Sequence, residues 1–156
     1  FSPTLLSSQI QTKLCINRDL DDKNSSARYR CLREIYKHHR RFFNKQYGDD
    51  EFFMLSAFQD HISGRPNEYL TGGTGLPALI KWLEAQADGD NCYVLSGRRK
   101  MRFIQPLLEY DANHWIGMNR VHDFQRYIPD PGVFLPFPIY FPGTAYNLNF
   151  VMKTEE

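Results

Sequence analysis

Apolar residues in the first half of the chain recur with the spacing of helices. A first helix is predicted from a capping serine at position 25 or 26 to about position 46, and a second begins at an aspartate at position 49 or 50. A third is predicted after the glycines that precede position 76, because Leu76, Leu79, Ile80 and Leu83 fall at i, i+3, i+4 and i+7. Three helices are therefore expected before residue 87.

After residue 86 the pattern changes to short apolar or alternating stretches that favour strands. Strands are predicted at 91–97, 100–110 and 114–119, followed by a final half-buried strand at 144–153. The proline-rich stretch 122–142 is predicted to be an irregular arm, extended or polyproline-like. Helices followed by mainly antiparallel strands predict an α+β fold, a two-layer sandwich of helices on a mixed, mainly antiparallel sheet.

Length and composition narrow the class of protein. The 156 residues fit one domain, and 42% apolar residues are enough for a globular core. The net charge of +1 gives no indication of nucleic acid, and no apolar run is long enough to cross a membrane. Three cysteines far apart favour reduced thiols and hence a cytoplasmic protein. Because the chain opens at Phe1, we expect a fragment of a larger protein.

The stretch "YLTGGTGLPALIKWLE" at 69–84 places a glycine-rich turn directly before the third helix. Such a turn can bind a nucleotide phosphate, act as the hinge of a lid, or simply begin a helix. It is not a Walker loop, because no Lys-Ser/Thr pair follows the glycines. Gly73, Gly75 and Ala78 also satisfy G-x-G-x-x-A, and "YVLSGRRK" follows. Together these resemble the opening of a short-chain dehydrogenase or ketoreductase, in which Arg98 and Arg99 would hold the 2′-phosphate of NADP. The polar stretch before the glycines and the lack of a Tyr-x-x-x-Lys pair make this the alternative interpretation.

A second resemblance covers more of the chain than the first and extends over residues 49–152. A helix leads to a Ser-x-Arg loop, a glycine motif and a second helix, then to a strand that ends in Ser-Gly and a Gly-Thr that opens the last strand. This order is similar to the C-terminal half of the GHKL ATPase domain, the Bergerat-like ATP-binding fold of histidine kinases, gyrase B, mismatch-repair proteins and heat-shock chaperones. Residues 1–48 would then form an N-terminal helical segment of the same single domain.

The resemblance implies an ATP site, with Mg²⁺ as a possible companion ion. Its residues would be Gly72, Gly73, Thr74 and Gly75 at the phosphates, Ser63 and Arg65 in the lid, and Thr144 near the adenine. Backbone N–H groups at a helix start and glycines that permit close approach suit a phosphate chemically. The family's Glu and Asn helix and its Asp-x-Gly-x-Gly loop are not found in this sequence. No catalytic residue or metal ligand is therefore assigned, and whether the chain is an ATPase or kinase stays open.

Two further classes stay open beside the nucleotide-binding ones. A non-catalytic interaction module would use the aromatic, proline-rich arm at 128–142 to contact a partner or a second copy. A nuclease-type toxin would use histidines and arginines, but the histidines lack zinc spacing and are interpreted as surface or packing residues. The first helix carries a basic face, interpreted as solvated or, as an alternative, as a phosphate or nucleic-acid patch; its members are Arg28, Arg30, Arg33, Lys37, Arg40 and Arg41.

Overall fold

The computed structural model describes residues 26–60, 62, 75–86 and 91–150. Within these residues the chain forms three α-helices and one two-stranded antiparallel sheet, so the predicted α+β class is confirmed. The helices are α1 (Ser26–His39), α2 (Asp49–Ser56) and α3 (Gly75–Gln86), and the strands are β1 (Tyr93–Arg102) and β2 (Phe134–Asn147). Short 3₁₀ turns follow α1 at Arg40–Phe42 and β1 at Gln105–Leu107.

Helix α1 ends seven residues before the predicted boundary at position 46. After the 3₁₀ turn the backbone of Phe43 is extended, with φ −60° and ψ 141°. The reason is Asn44, whose side-chain Oδ1 accepts the N–H groups of both Gln46 and Tyr47 at 2.8 and 2.9 Å. An asparagine that bonds nearby backbone offers those donors an alternative to the helix, and the helix stops before it.

Helix α2 begins at Asp49, with Gly48 as its N-cap, and is buried from Glu51 to Ser56. Glu51 Oε2 accepts the N–H of Gly48 at 2.9 Å, which satisfies one donor at the helix start. Three acidic residues in its first turn lie at the positive end of the helix dipole. The predicted apolar residues are confirmed as buried, whereas the predicted aspartate cap is wrong, because the N-cap is Gly48 and both Asp49 and Asp50 lie inside the first turn.

Strand β1 is continuous where two strands, 91–97 and 100–110, were predicted. Gly97 lies in its middle with φ +63°, a conformation that few other residues adopt without strain. The strand therefore continues through the glycine, with a bulge on either side of it, and does not turn there. Beyond Arg102 the second predicted strand is wrong, because residues 105–107 form a 3₁₀ turn that contains Pro106.

Strand β2 begins within the arm that was predicted to be irregular and includes its last nine residues, 134–142. Arg102 N–H donates to Val133 O at 2.8 Å, which makes these residues a hydrogen-bonded pair. Pairs alternate along an antiparallel ladder, so Pro136, opposite Arg99, falls in a non-hydrogen-bonded position where its missing N–H costs nothing. The prolines were correctly seen as incompatible with a central strand, but this strand is an edge.

The segment between the two strands folds over the buried faces of α1 and α2. Its large apolar side chains join those of the helices in one core, in which Trp115, Phe52, Phe58, Phe103 and Phe124 are fully buried. The strand predicted at 114–119 is wrong: the only pairing described there is a single bridge between Tyr110 and Ile116. The segment is held by side-chain hydrogen bonds instead.

Candidate functional site

The predicted nucleotide-site residues divide into two groups. Ser63, Arg65, Gly72, Gly73 and Thr74 lie outside the described residues. Gly75 is the first residue of α3, and a Cβ added there would meet nothing within 4 Å. Thr144 lies in β2 directly opposite Ser96 of β1. The structure therefore brings together the predicted Ser-Gly and Gly-Thr elements.

Next to this pair the sheet is distorted in a way that opens a pocket. Ser96 pairs with Thr144, but the next residue of β1, Gly97, pairs with Phe141, so two residues of β2 have no counterpart. Such an irregularity bends the longer strand away from its partner. A pocket of about 240 Å³ lies beside it, here called the bulge pocket; it is lined by Asp50, Met54, Ser96, Gly97, Arg98, Arg99 and Tyr140.

Around the bulge pocket one pair of charges forms an ion pair, and two exposed charges of opposite sign do not. Arg99 Nε forms an ion pair with Oε1 of Glu51, whose side chain is 4% exposed. The buried Nε of Arg99 makes no hydrogen bond of ordinary geometry. Its contact with Glu51 is therefore an ion pair and not a hydrogen bond. Arg98 is exposed and pairs with no acidic side chain among the described residues. Asp50, also exposed, places one carboxylate on the same pocket.

Histidine 39 was predicted to be a surface or packing residue, and it is buried within the core. One ring nitrogen, Nε2, lies 2.7 Å from the carbonyl oxygen of Phe124, so it must carry the hydrogen. Nδ1 then accepts the hydroxyl of Tyr47 at 2.7 Å. Burial lowers the pKa of His39 to about 4, so the ring is neutral at pH 7. With both nitrogens engaged, this histidine joins α1 to the inter-strand segment and is not a catalytic base.

Arg28 differs from the other arginines of α1, because it does not belong to a solvated face. Its guanidinium lies 3.6 Å from the ring centroid of Trp115 and donates to the carbonyl oxygens of Asp60, Asn113 and His114 at 2.6 to 2.9 Å. Burial is the main cause that lowers its pKa. Arg28 is therefore not part of the predicted basic face. Its side chain connects α1 to the inter-strand segment.

Asn119 is the centre of the inter-strand segment and was missed by the sequence analysis. Its Nδ2 donates to Asp123 O at 2.9 Å, and its Oδ1 accepts Asp123 N–H at 3.0 Å. Gly117 packs against it so closely that an added Cβ would lie 2.7 Å from Asn119 Nδ2 and 2.9 Å from the backbone of Phe124. The sequence gives only a weak signal for a buried asparagine that packs against a nearby glycine, because both residue types also occur in ordinary turns.

The other histidines form no metal site within the described residues. His38 Nε2 lies 3.0 Å from Arg126 O, His114 Nδ1 lies 3.4 Å from Asp60 Oδ2, and His122 Nε2 lies 3.5 Å from Glu109 Oε2. In residues 26–60, 62, 75–86 and 91–150, no three His, Cys, Asp or Glu side chains are grouped as metal ligands. His38 and His122 are half-buried, and His114 is exposed.

Comparison with protein-family models, with curated proteins and with solved structures gives no match to this chain. Among the described helices, none combines the length and the apolar character needed to cross a membrane. The bulge pocket is therefore interpreted from its own residues.

Proposed function

We propose that this chain binds a nucleoside triphosphate of the ATP type, with the phosphates at the bulge pocket. The observation that supports this most directly is the meeting of Ser96-Gly97 with Thr144 beside that pocket. The Ser-Gly and Gly-Thr motifs are among the described elements in which the sequence resembles the GHKL ATPases. Arg98 is exposed at this pocket and forms no ion pair with an acidic side chain of the described residues, so its guanidinium can face a phosphate.

The proposal also concerns the fold beyond the described elements and the location of the protein in the cell. We expect the two described strands to belong to a larger, mainly antiparallel sheet in a two-layer sandwich, with the glycines Gly72 to Gly75 contributing phosphate contacts. The unpaired thiols of Cys31 and Cys92 support a cytoplasmic location. ATP binding in a larger signalling, defence or regulatory protein is proposed; hydrolysis is not, because no catalytic group has been identified.

Thermal unfolding of the 156-residue chain with Mg-ATP, with NADPH and with neither ligand tests the proposal. A ligand at about 100 times its Kd that binds only the folded state adds about 2.7 kcal/mol, which raises the Tm by several degrees. We expect this shift with Mg-ATP, and we expect Gly73→Val/Gly75→Val to remove it. A shift with NADPH alone would favour the dehydrogenase-like alternative and overturn the proposal.

Two single substitutions in the pocket should act in opposite directions. Arg98→Gln removes an exposed positive charge and should weaken ATP binding about two- to fivefold, the range of an exposed charge contact. Asp50→Asn removes a carboxylate that repels phosphate and should strengthen binding by a similar factor. Lys81→Gln, an exposed charge on α3 that does not line the pocket, is the matched control. If Lys81→Gln weakens binding as much as Arg98→Gln, the phosphates do not lie at the bulge pocket.

A further inference from the structure

A second surface of the molecule combines exposed cations with exposed aromatic rings. At the end of α1, the 3₁₀ turn presents Arg40, Arg41 and Phe42, whose side chain is 51% exposed, and Lys45 follows on the same loop. Tyr127 of the inter-strand segment is 53% exposed. We call these five residues, together with Arg120, the basic–aromatic face.

Contacts described above bring the two parts of this face together. His38, one turn before Phe42, donates to the carbonyl oxygen of Arg126, the residue before Tyr127. The ring of His38 also contacts that of Phe42, with centroids 5.4 Å apart. The face is thus fixed by the fold, and it does not depend on the conformation of one long side chain.

A cavity of about 310 Å³ opens between the two parts. It is lined from one side by Asn44, Gln46 and Tyr47, and from the other by a longer run that includes Asn119, Arg120 and Tyr127. Of the amide side chains in its walls, those of Asn119 and Asn44 bond nearby backbone, and that of Gln46 is exposed. No residue is shared with the lining of the bulge pocket.

The charges on this face are unevenly compensated. Arg120 Nε lies 3.3 Å from Asp130 Oδ2, Arg126 is bonded to Asp123, and Lys37 is bonded to Glu34. Among the described residues, no acidic side chain pairs with Arg40, Arg41 or Lys45. The net charge of +1 for the whole chain averages over this local excess, so it is a poor guide to this surface.

We propose that the basic–aromatic face binds single-stranded nucleic acid. Three cations on one short loop suit consecutive phosphates, and the rings of Phe42 and Tyr127 offer π faces on which unpaired bases stack. The cavity beside Tyr127 accepts one base, and the exposed amide of Gln46 at its wall can hydrogen-bond the edge of that base. A duplex hides its base faces and could use only the cations, so single strands are the occupant that the whole face fits.

Fluorescence anisotropy with a labelled ten-nucleotide oligouridylate and an oligothymidylate tests this proposal, with a hairpin duplex of equal charge as the comparison. We expect single strands to bind more tightly than the duplex at 50 mM salt. Tyr127→Ala should weaken binding about tenfold without changing its salt dependence, because it removes stacking. Arg41→Gln and Lys45→Gln should each reduce the slope of log Kd against log salt by about 0.7, because each removes one phosphate contact.

Lys81→Gln is the control for charge removal away from the face, and it should change neither quantity. The thermal unfolding of every variant is compared with that of the parent chain, since all four substituted side chains are exposed. No binding to either single strand at 50 mM salt would overturn the proposal and leave a protein partner as the occupant. Equal affinity for the duplex, or a slope that Arg41→Gln leaves unchanged, would also overturn it. Arg98→Gln acts on ATP at the bulge pocket, so the two proposals fail independently.

Discussion

The sheet and the segment that joins its strands are stabilised in opposite ways. The sheet joins its two strands by an antiparallel ladder that two register shifts interrupt, and it is half exposed, with Ile139 and Tyr140 of β2 69% and 51% exposed. The inter-strand segment has almost no regular structure, yet its residues from Trp115 to Asn119 are all buried. Irregular backbone and tight packing therefore coincide in this molecule.

The difference follows from where each backbone finds its hydrogen-bond partners. In the sheet, the partner strand supplies them, and side chains are left to face solvent. In the inter-strand segment, turn backbone supplies some of them, as where Asp130 N–H donates to Met118 O, and buried polar side chains supply others. Asn119 bonds the backbone of Asp123, and Gln59 bonds both backbone groups of Ile116 at 2.7 and 2.8 Å. Since a buried backbone group without a partner is costly, the segment should tolerate substitution less well than the sheet.

The largest expected effect is that of Gly117→Ala. The added Cβ would lie within 2.9 Å of the backbone of Asp123 and Phe124, which cannot move without breaking the bonds to Asn119. We expect a loss of about 3 kcal/mol in the free energy of unfolding, measured by urea denaturation. Gly75→Ala is the control, because its Cβ has nothing within 4 Å. Equal losses in the two variants would mean that close packing at Gly117 is not what matters.

The second effect is a pH dependence that originates at the joint between α1 and the inter-strand segment. The pKa of His39 is lowered from the ordinary 6.5 to about 4 by burial, so the unfolded chain takes up the proton first as the pH falls. This contribution to stability is complete above pH 6.5 and is lost towards pH 4. Between pH 7 and pH 5 we expect a loss of about 2 kcal/mol.

Denaturant unfolding of His39→Gln and of the parent chain at both pH values measures this contribution. The substitution should lower stability at pH 7, because Gln cannot reproduce both bonds of the ring, and it should flatten the dependence on pH. His114→Gln, which removes an exposed histidine, should leave the dependence in place. A parent chain as stable at pH 5 as at pH 7 would contradict the assignment of a buried neutral ring.

The sequence predicts the helices well and the second half of the chain poorly, for a physical reason. Helix α3 is confirmed because its apolar spacing depends only on local geometry, and Ile80 and Leu83 are buried as expected. The short apolar stretch 114–119 was assigned to a strand, but a buried strand and a buried irregular segment have the same composition. Only the partner of each backbone group distinguishes them, and Gln59 is 57 residues away from Ile116.

The same limit applies to the candidate sites. Thr144 and Ser96 could be proposed from sequence because both lie in short motifs, whereas Tyr140 and Asp50 join the bulge pocket only through the register of β2 and the packing of α2. Arg28 was assigned to a solvated face because its position in the helix indicates only on which side of the helix it lies, and not what it contacts there. Its three carbonyl acceptors come from residues 32 to 86 positions away.

The smallest expected effect is that of Pro136→Ala in β2. Because Pro136 faces Arg99 in a non-hydrogen-bonded position, the new N–H would point to the outer edge and add no bond to the ladder. The side chain is exposed, so little packing is lost, and the free energy of unfolding should change by less than about 0.5 kcal/mol. The new donor also removes a barrier to edge pairing, so the variant should self-associate more readily in sedimentation velocity. A loss of more than about 2 kcal/mol would mean that the sheet is as intolerant as the inter-strand segment, and the contrast between the two regions would not hold.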